Sequence, residues 1–309
     1  MVVHTGSDSL AAAGGLAVAI GNFDGVHVGH QRLLALARER GRVRGVPSAV
    51  LTFEPHPARV LAPSLAPPLL CTAARKQELI GEAGIDHLVI EPFTPQLAAL
   101  SPEAFVERIL VAGLGARDVI VGYDFTYGRH RAGTIDTLRA TGAERGFAVH
   151  VVPQVTVHGL VASSTKIREF LLEGNVEGAR LLLGRDFDCD GTVVPGHGRG
   201  RGIGVPTANL STECEVLPRP GIYAVRVRVD GTWHPAAASL GTNPTFVDGG
   251  PLTLEAHLID FDGDLYGERL RVAFHTRLRD EARYPSVDAL VAQIRRDIEA
   301  ARAALKEVS

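Results

Sequence analysis

The hydrophobic period of this chain changes near Gly184, and that change limits the fold more than any other feature. Before it, short apolar runs alternate with helical patterns. Leu16–Ile20, Ser48–Thr52, His87–Ile90, Asp118–Val121 and Ala148–Val152 read as buried strands; Gln31–Arg40, Arg75–Ala83, Pro102–Val111 and Thr134–Arg145 read as helices. Strands and helices in alternation predict a doubly wound parallel sheet covered on both faces. Ser101-Pro102-Glu103 marks a helix start, with a capping serine and a proline at the first helical position. Two more helices, Ser164–Glu173 and Val176–Leu183, turn at Gly174-Asn175. After Gly184 the period is two: Tyr223, Val225, Val227 and Val229 fall on one face of Ile222–Val229, Arg226 and Arg228 on the other. Thr192–Val194, Pro235–Leu240, Leu252–Ile259 and Arg269–His275 also read as strands, separated by turns such as Asp230-Gly231 and Asp262-Gly263. This half is expected to be an all-β module, a closed barrel. A terminal helix from Val287 carries Leu290, Val291, Ile294, Ile298 and Ala301 at helical spacing, one face for packing on that barrel. The expected division is 1–185, an α/β domain, and 186–309, a β-barrel domain.

At 309 residues, two domains each have enough chain to bury a core without disulfides or a structural metal. A net charge of −3 shows no basic excess, which argues against nucleic acid as the main partner. Cys71, Cys189 and Cys214 form no CxxC pair, so neither a zinc site nor a disulfide framework is indicated, and a reducing cytoplasm fits. The apolar stretch Leu10–Ile20 lacks a preceding basic region and is too short to span a bilayer, so no membrane partner is expected. It reads as a loose tail leading into the first strand. Self-association is left open.

The segment Gly21-Asn22-Phe23-Asp24-Gly25-Val26-His27-Val28-Gly29-His30 ends the first strand and opens the first helix. Open α/β sheets bind ligands outside the carboxyl ends of their strands, and a helix start offers free backbone N–H groups to an anion. Gly25 and Gly29 allow close backbone approach to a phosphate, and His27 and His30 add two imidazoles. Such an array suits charge building on an α-phosphate during nucleotidyl transfer. Two histidines at this spacing also suit a metal pair or plain helix-start polar residues. The chain has no Walker A sequence, and no GxGxxG follows the first strand.

This segment resembles the HxGH nucleotidyltransferase superfamily, and in its longer form the bacterial bifunctional riboflavin kinase/FMN adenylyltransferases. Thr52-Phe53-Glu54-Pro55-His56-Pro57 resembles that family's TFxPHP stretch, Val121–Gly128 its flavin-side loop, and Ser163-Ser164-Thr165-Lys166-Ile167-Arg168 its SSTxIR element. The resemblance implies catalytic roles for His27 and His30. It implies ATP contacts for Gly21, Phe23, Asp24, Gly25, Ser163, Ser164, Thr165 and Arg168. His56, Asp124 and Phe125 are placed by it on the flavin substrate, Asp124 through bound Mg²⁺ or a polar group of the nucleotide. Read alone, the serines are a helix cap and Arg168 a solvated helix residue.

The second motif runs from Gly191 to Leu210, with five alternating glycines between Gly196 and Gly204 and with Arg199 and Arg201 among them. A loop of this kind presents consecutive N–H groups as an anion nest; a flexible linker is the plainer reading, against which the arginines and the following Pro206-Thr207-Ala208-Asn209 argue. The stretch resembles the flavokinase signature. By that resemblance Gly198, Arg199, Gly200 and Arg201 hold ATP, and Thr207 and Asn209 hold Mg²⁺ on its phosphates through oxygens that suit a hard cation. Gly221–Ala224, Gly241–Phe246 and Glu255 through Gly267 continue the match. Glu255 is the candidate base: Leu252, Leu254, Ala256 and Leu258 share one face of their strand, and Glu255 projects from the other with Thr253 and His257. His197, Gly202, Val205 and Asp186 depart from common family residues, none at a position with a chemical role. The resemblance implies an enzyme that phosphorylates riboflavin to FMN and adenylylates FMN to FAD, with riboflavin, FMN and ATP as small-molecule partners and Mg²⁺ at each step.

Overall fold

The computed structural model describes residues 1–10, 14–196, 205–242 and 252–306. They form two compact units, Met1–Pro68 with Ala73–Ala162, and Leu69–Thr72 with Ser163–Ser309.

The first unit is built on β1 (Val2–Thr5), β2 (Leu16–Ile20), β3 (Ser48–Glu54), β4 (His87–Pro92), β5 (Ala116–Gly122) and β6 (Ala148–Val152), with a small hairpin of β7 (Thr156–Val157) and β8 (Leu160–Val161). The six strands lie in the order β1-β4-β3-β2-β5-β6, every pairing parallel. β2 is buried on both faces, as a doubly covered sheet requires. Its Val18 and Ile20 pack with Phe105, Ile109 and Leu110 on one side. Its Ala17 and Ala19 pack on the other with Leu33 and Leu34 of α1 (Val28–Arg44) and with Leu79 and Ile80. The chain leaves β2 towards β3 and β4 on one side and returns to β5 on the other, so the carboxyl ends of β2, β3 and β5 flank a topological switch point.

Two expectations need correction. The N-terminal residues are not all a loose tail: Val2–Thr5 adds a parallel edge strand to β4. The helix expected at Pro102–Val111 is α-helical over Pro102–Phe105 and continues as a π-helix over Val106–Gly113, where the Leu114 N–H donates to the Ile109 carbonyl five residues back (3.0 Å).

Asp118, near the start of β5, ties α1 to the sheet. Its side chain has no exposed surface and lies 3.0 Å from Arg40 Nε, 2.9 Å from Arg44 Nε and 2.5 Å from His150 Nε2. Burial pushes the carboxyl pKa up, but the hydrogen bonds from His150, Arg40 and Arg44 outweigh it and hold the group below its ordinary value. A carboxyl whose pKa is lower folded than unfolded stabilises the fold above about pH 4 and loses that contribution as pH falls through the folded value. Asp118→Asn is expected to lower the unfolding free energy by about 1–3 kcal/mol at neutral pH. In urea titrations the gap to the wild type should close as the pH drops below that of a free carboxyl; a gap indifferent to pH would rule out charge as the anchor.

The second unit holds β9 (Phe187–Val194), β10 (Ala208–Thr212), β11 (Gly221–Val229), β12 (Thr232–Thr242), β13 (Leu252–Leu258) and β14 (Arg269–Arg279), closed into a barrel in the order β10-β13-β12-β11-β14-β9. Tyr223, Val225, Val227, Ala238, Leu254, Ala256, Val272 and Phe274 are buried within it, the inward half of the alternation. The Tyr223 hydroxyl donates to the Arg219 carbonyl, so this buried phenol is satisfied. The helices Ser164–Glu173 and Val176–Leu183 pack with this unit, the second against β9 and β14. The terminal helix Val287–Leu305 buries Ala301 and Leu305 against Ala224 and Ile259. Val287, expected on the packing face, is instead 61% exposed, since only the later turns of the helix are covered.

Candidate active sites

The first site is assembled at the switch point. β2 ends in a turn that bends the chain sharply into α1: Phe23, Gly25 and Val26 all have positive φ, of 52°, 76° and 40°. For a β-branched valine this is a genuine outlier, of a kind that clusters at functional sites. The Phe23 ring is fully buried and lies over Gly21, where a Cβ would come within 3.3 Å of it. Asp24 is buried in the same turn. From β3, Thr52 donates to the Asn22 carbonyl (3.2 Å) and pins the turn from below.

His27 is the N-cap of α1: its Nδ1 accepts the His30 N–H at 3.3 Å. The two imidazoles stack, centroids 3.6 Å apart and 20° from parallel. Gly29 makes room for this, because a Cβ there would lie 3.0 Å from His27 Cε1. Burial first, then the nearby His27 and Lys76, drive the His30 pKa well below 6.5, so His30 is neutral at physiological pH. Its Nδ1 is buried without a hydrogen-bond partner among the described residues. The site therefore offers the unfilled Nδ1 of His30 at the start of a helix, where the backbone N–H groups point outward along the axis.

Lys76, on the helix Ala73–Glu82, was not singled out by sequence reasoning. Its side chain is 12% exposed, and its ammonium lies 3.7 Å from Glu54 and lowers the His30 pKa. His56 caps the short helix Pro57–Leu61 by accepting the Ala58 N–H (3.2 Å) through Nδ1. Asp124 lies exposed at the end of β5. The neighbouring Phe125 stacks on Tyr127 at 5.7 Å and is half-buried against the core. The residues expected at this site from three segments thus come from the carboxyl ends of β2, β3 and β5. Ser163 caps the helix Ser164–Glu173 by accepting the Lys166 N–H (3.2 Å). With Ser164, Thr165 and Arg168 it packs in the second unit.

In the barrel, strand register gathers the second site. Asn209 of β10 and Ser239 of β12 both lie directly opposite Glu255 of β13. Opposed residues share a face with Cβ atoms roughly 4.5–5.5 Å apart. His257 falls on this face by parity, and Thr207 lies in the segment just ahead of β10. His257 Nδ1 donates to the Pro206 carbonyl (2.7 Å) and holds the approach to Thr207. Gly196 supports Asn209 from beneath: a Cβ at 196 would fall on the Asn209 side-chain amide. Thr207 also borders a pocket of about 270 Å³ at the barrel wall, with Val193, Leu258, Phe261, Asp264 and Tyr266 around it. Gly198, Arg199, Gly200 and Arg201, with His197 and Gly202, lie outside the described residues.

Among the described residues no group of three or more His, Cys, Asp and Glu is placed to hold a metal ion. The donors of the second site are of another kind: the amide oxygen of Asn209 and the carboxylate of Glu255 on one face, and the Thr207 hydroxyl in the segment that leads into β10. This oxygen set fits a hard cation that keeps waters and shares phosphate ligands.

Comparison with known proteins bears on both units. The family described as FAD synthetase matches residues 10–166, and the family described as riboflavin kinase matches residues 183–305. A bifunctional riboflavin kinase/FMN adenylyltransferase of Pseudomonas fluorescens is 43% identical over 289 residues, 94% of this chain and 93% of its own. Its namesake in Bacillus subtilis is 34% identical, over 91% of this chain and 89% of its own. A solved structure from Streptococcus pneumoniae, described as a macrolide-efflux protein, superposes with a TM-score of 0.87 at 32% identity, covering 98% of this chain and 99% of that one. No helix among the described residues here is long and apolar enough to cross a membrane.

Proposed function

The chain belongs to the family of bifunctional riboflavin kinases/FMN adenylyltransferases, and from that premise we propose that it makes FMN from riboflavin on the barrel and FAD from FMN in the α/β unit, with ATP as co-substrate of both steps. The observation that carries the kinase assignment is the row of Asn209, Glu255 and Ser239 across three paired strands. Glu255 takes the proton of the ribityl hydroxyl as it attacks the γ-phosphorus, and ADP departs. Thr207 and Asn209 are the oxygen ligands proposed for Mg²⁺, which when bound neutralises charge on the phosphates. Gly198, Arg199, Gly200 and Arg201 are proposed to hold the ATP phosphates.

In the first unit an FMN phosphate oxygen attacks the α-phosphorus of ATP and pyrophosphate leaves. His27 presents Nε2 to the developing charge, because its Nδ1 is committed to capping α1. His30, neutral and with an unfilled Nδ1, supplies the second imidazole. Gly21, Phe23, Asp24 and Gly25 shape the turn under the triphosphate, and Ser163, Ser164, Thr165 and Arg168 are proposed as further ATP contacts. Phe125 and Asp124 are proposed for the flavin, and His56 as a residue that orients that loop through its cap. The functional division proposed is 1–185 and 186–309, and the free thiols support a reducing, cytoplasmic setting.

Incubation with riboflavin, ATP and Mg²⁺, followed by chromatography of the flavins, should yield FMN and then FAD, and chelating the metal with EDTA should stop both. Riboflavin recovered unchanged would dispose of the proposal in favour of a flavin-binding sensor; a nucleotidyl product without FMN would favour a different transferase. Within the kinase site, Gly196→Ala forces the Asn209 amide to move. Displacement of a positioning group by about 1 Å costs up to about 10²-fold. FMN formation should fall on that scale while FAD formation from supplied FMN stays level.

A further inference from the structure

None of the three cysteines is in a disulfide, and two of them, Cys189 and Cys214, come together in the second unit. The β9–β10 ladder pairs Asn209 with Val194, Leu210 with Val193, Ser211 with Thr192 and Thr212 with Gly191. The ladder ends at Thr212 and Gly191, and two residues beyond that last pair on either strand stand Cys214 and Cys189, at the same end of the hairpin. A disulfide spans Cα atoms ~4.4–6.8 Å apart, close to the spacing of neighbouring antiparallel strands. The side chains meet, the Cys189 thiol hydrogen-bonding to the Cys214 sulfur. Cys189 is buried, whereas Cys214, just beyond the end of β10, is only half-buried.

We propose that Cys189 and Cys214 are a peroxide-reactive thiol pair that closes to a disulfide across the base of the β9–β10 hairpin. The two sulfurs are unequal in the way such a reaction needs. The hydrogen bond from Cys189, helped by the Asp190 backbone amide, overcomes burial and brings the Cys214 pKa to about 7. The same contact, with burial, pushes Cys189 well above its ordinary value. Cys214 is therefore the attacking thiolate and Cys189 the resolving thiol. The Cys214 thiolate attacks one oxygen of a hydroperoxide. The O–O bond breaks, the departing alkoxide or hydroxide takes a proton, and Cys214 is left as a sulfenic acid. The Cys189 sulfur then attacks the sulfenic sulfur, its proton leaves with the hydroxyl as water, and the S–S bond forms. Sulfur loses two electrons in all and the peroxide gains them. The closed loop encloses Gly196, Thr207 and Asn209, so the pair clamps the hairpin that carries the proposed metal ligands without using any of them.

The test treats the intact protein with hydrogen peroxide, removes the peroxide, unfolds the protein in denaturant with N-ethylmaleimide to block every remaining thiol and maps the peptides by mass. The expected result is a Cys189–Cys214 cross-linked peptide two hydrogens lighter than its parts, with both thiols lost to alkylation. In Cys189→Ser, Cys214 should accumulate as a sulfenic acid trapped by dimedone. In Cys214→Ser, Cys189 should stay fully alkylatable. Both thiols alkylated in the treated wild type, Cys214 carried to higher oxides while Cys189 remains free, or a bridge from either cysteine to Cys71 would each overturn the proposal.

Discussion

Replacing both His27 and His30 by alanine is expected to lower FAD formation from supplied FMN by at least about 10²–10³-fold, the usual cost of losing one charge-stabilising donor, while riboflavin is still converted to FMN near the normal rate. The pair is stacked at the head of α1, His27 buried and His30 half-buried, so the control matters. His27→Ala removes the cap of the helix as well as an imidazole, and losing an N-cap costs about 0.5–2 kcal/mol. His27→Asn restores a capping side chain without the imidazole. If it recovers thermal stability but not FAD formation, the imidazole is chemical. Recovery of both would reduce His27 to a cap, and equal loss of FMN and FAD formation in the alanine variants would point to misfolding.

Glu255→Gln should reduce FMN formation by about 10²–10⁴-fold, the worth of a positioned general base. The half-buried side chain lies on the face of β13 opposite Leu254 and Ala256, so the swap leaves the barrel interior untouched. Riboflavin binding, read by quenching of flavin fluorescence, should survive because the amide still hydrogen-bonds. FAD formation from supplied FMN should be unaffected. Kinase turnover within a few-fold of the wild type would leave Glu255 an ordinary strand residue and require the proton acceptor to be sought elsewhere.

Most of the fold was legible because burial on both faces writes itself plainly into sequence. Leu16–Ile20, buried throughout, is a strand with the bounds that its apolar run suggests, and so is the half-buried edge strand Ala148–Val152. The failures share a cause. Val2–Thr5 is a short, largely exposed edge strand, defined by its pairing with β4 and not by an apolar run. Ala208–Thr212 reads as polar and irregular, and is a strand because β9 and β13 hold it on both sides. The first site was legible as a local constellation, since Phe23 to His30 are contiguous. Lys76 was not, because its nearness to His30 comes from tertiary packing. His56 was legible as a polar residue between prolines, but its cap depends on a backbone turn that only the fold supplies. On the barrel, the residues were legible singly. That Asn209 and Glu255 face each other depends on a register that no local pattern announces.

That register has a consequence for how such a chain can change. In β13 the side chains divide by odd and even position, Thr253, Glu255 and His257 to one face and Leu254, Ala256 and Leu258 into the barrel. Deleting or adding one residue ahead of Glu255 within the strand would exchange the two sets, placing a carboxylate among Tyr223 and Phe274 and a leucine beside Asn209. Substitution alters the site by degrees, whereas a one-residue shift of frame reverses it. The site is therefore more sensitive to the length of β13 between its ends than to the identity of most of its residues, and functional length variants should be confined to the loops at its ends or come in pairs that restore the parity.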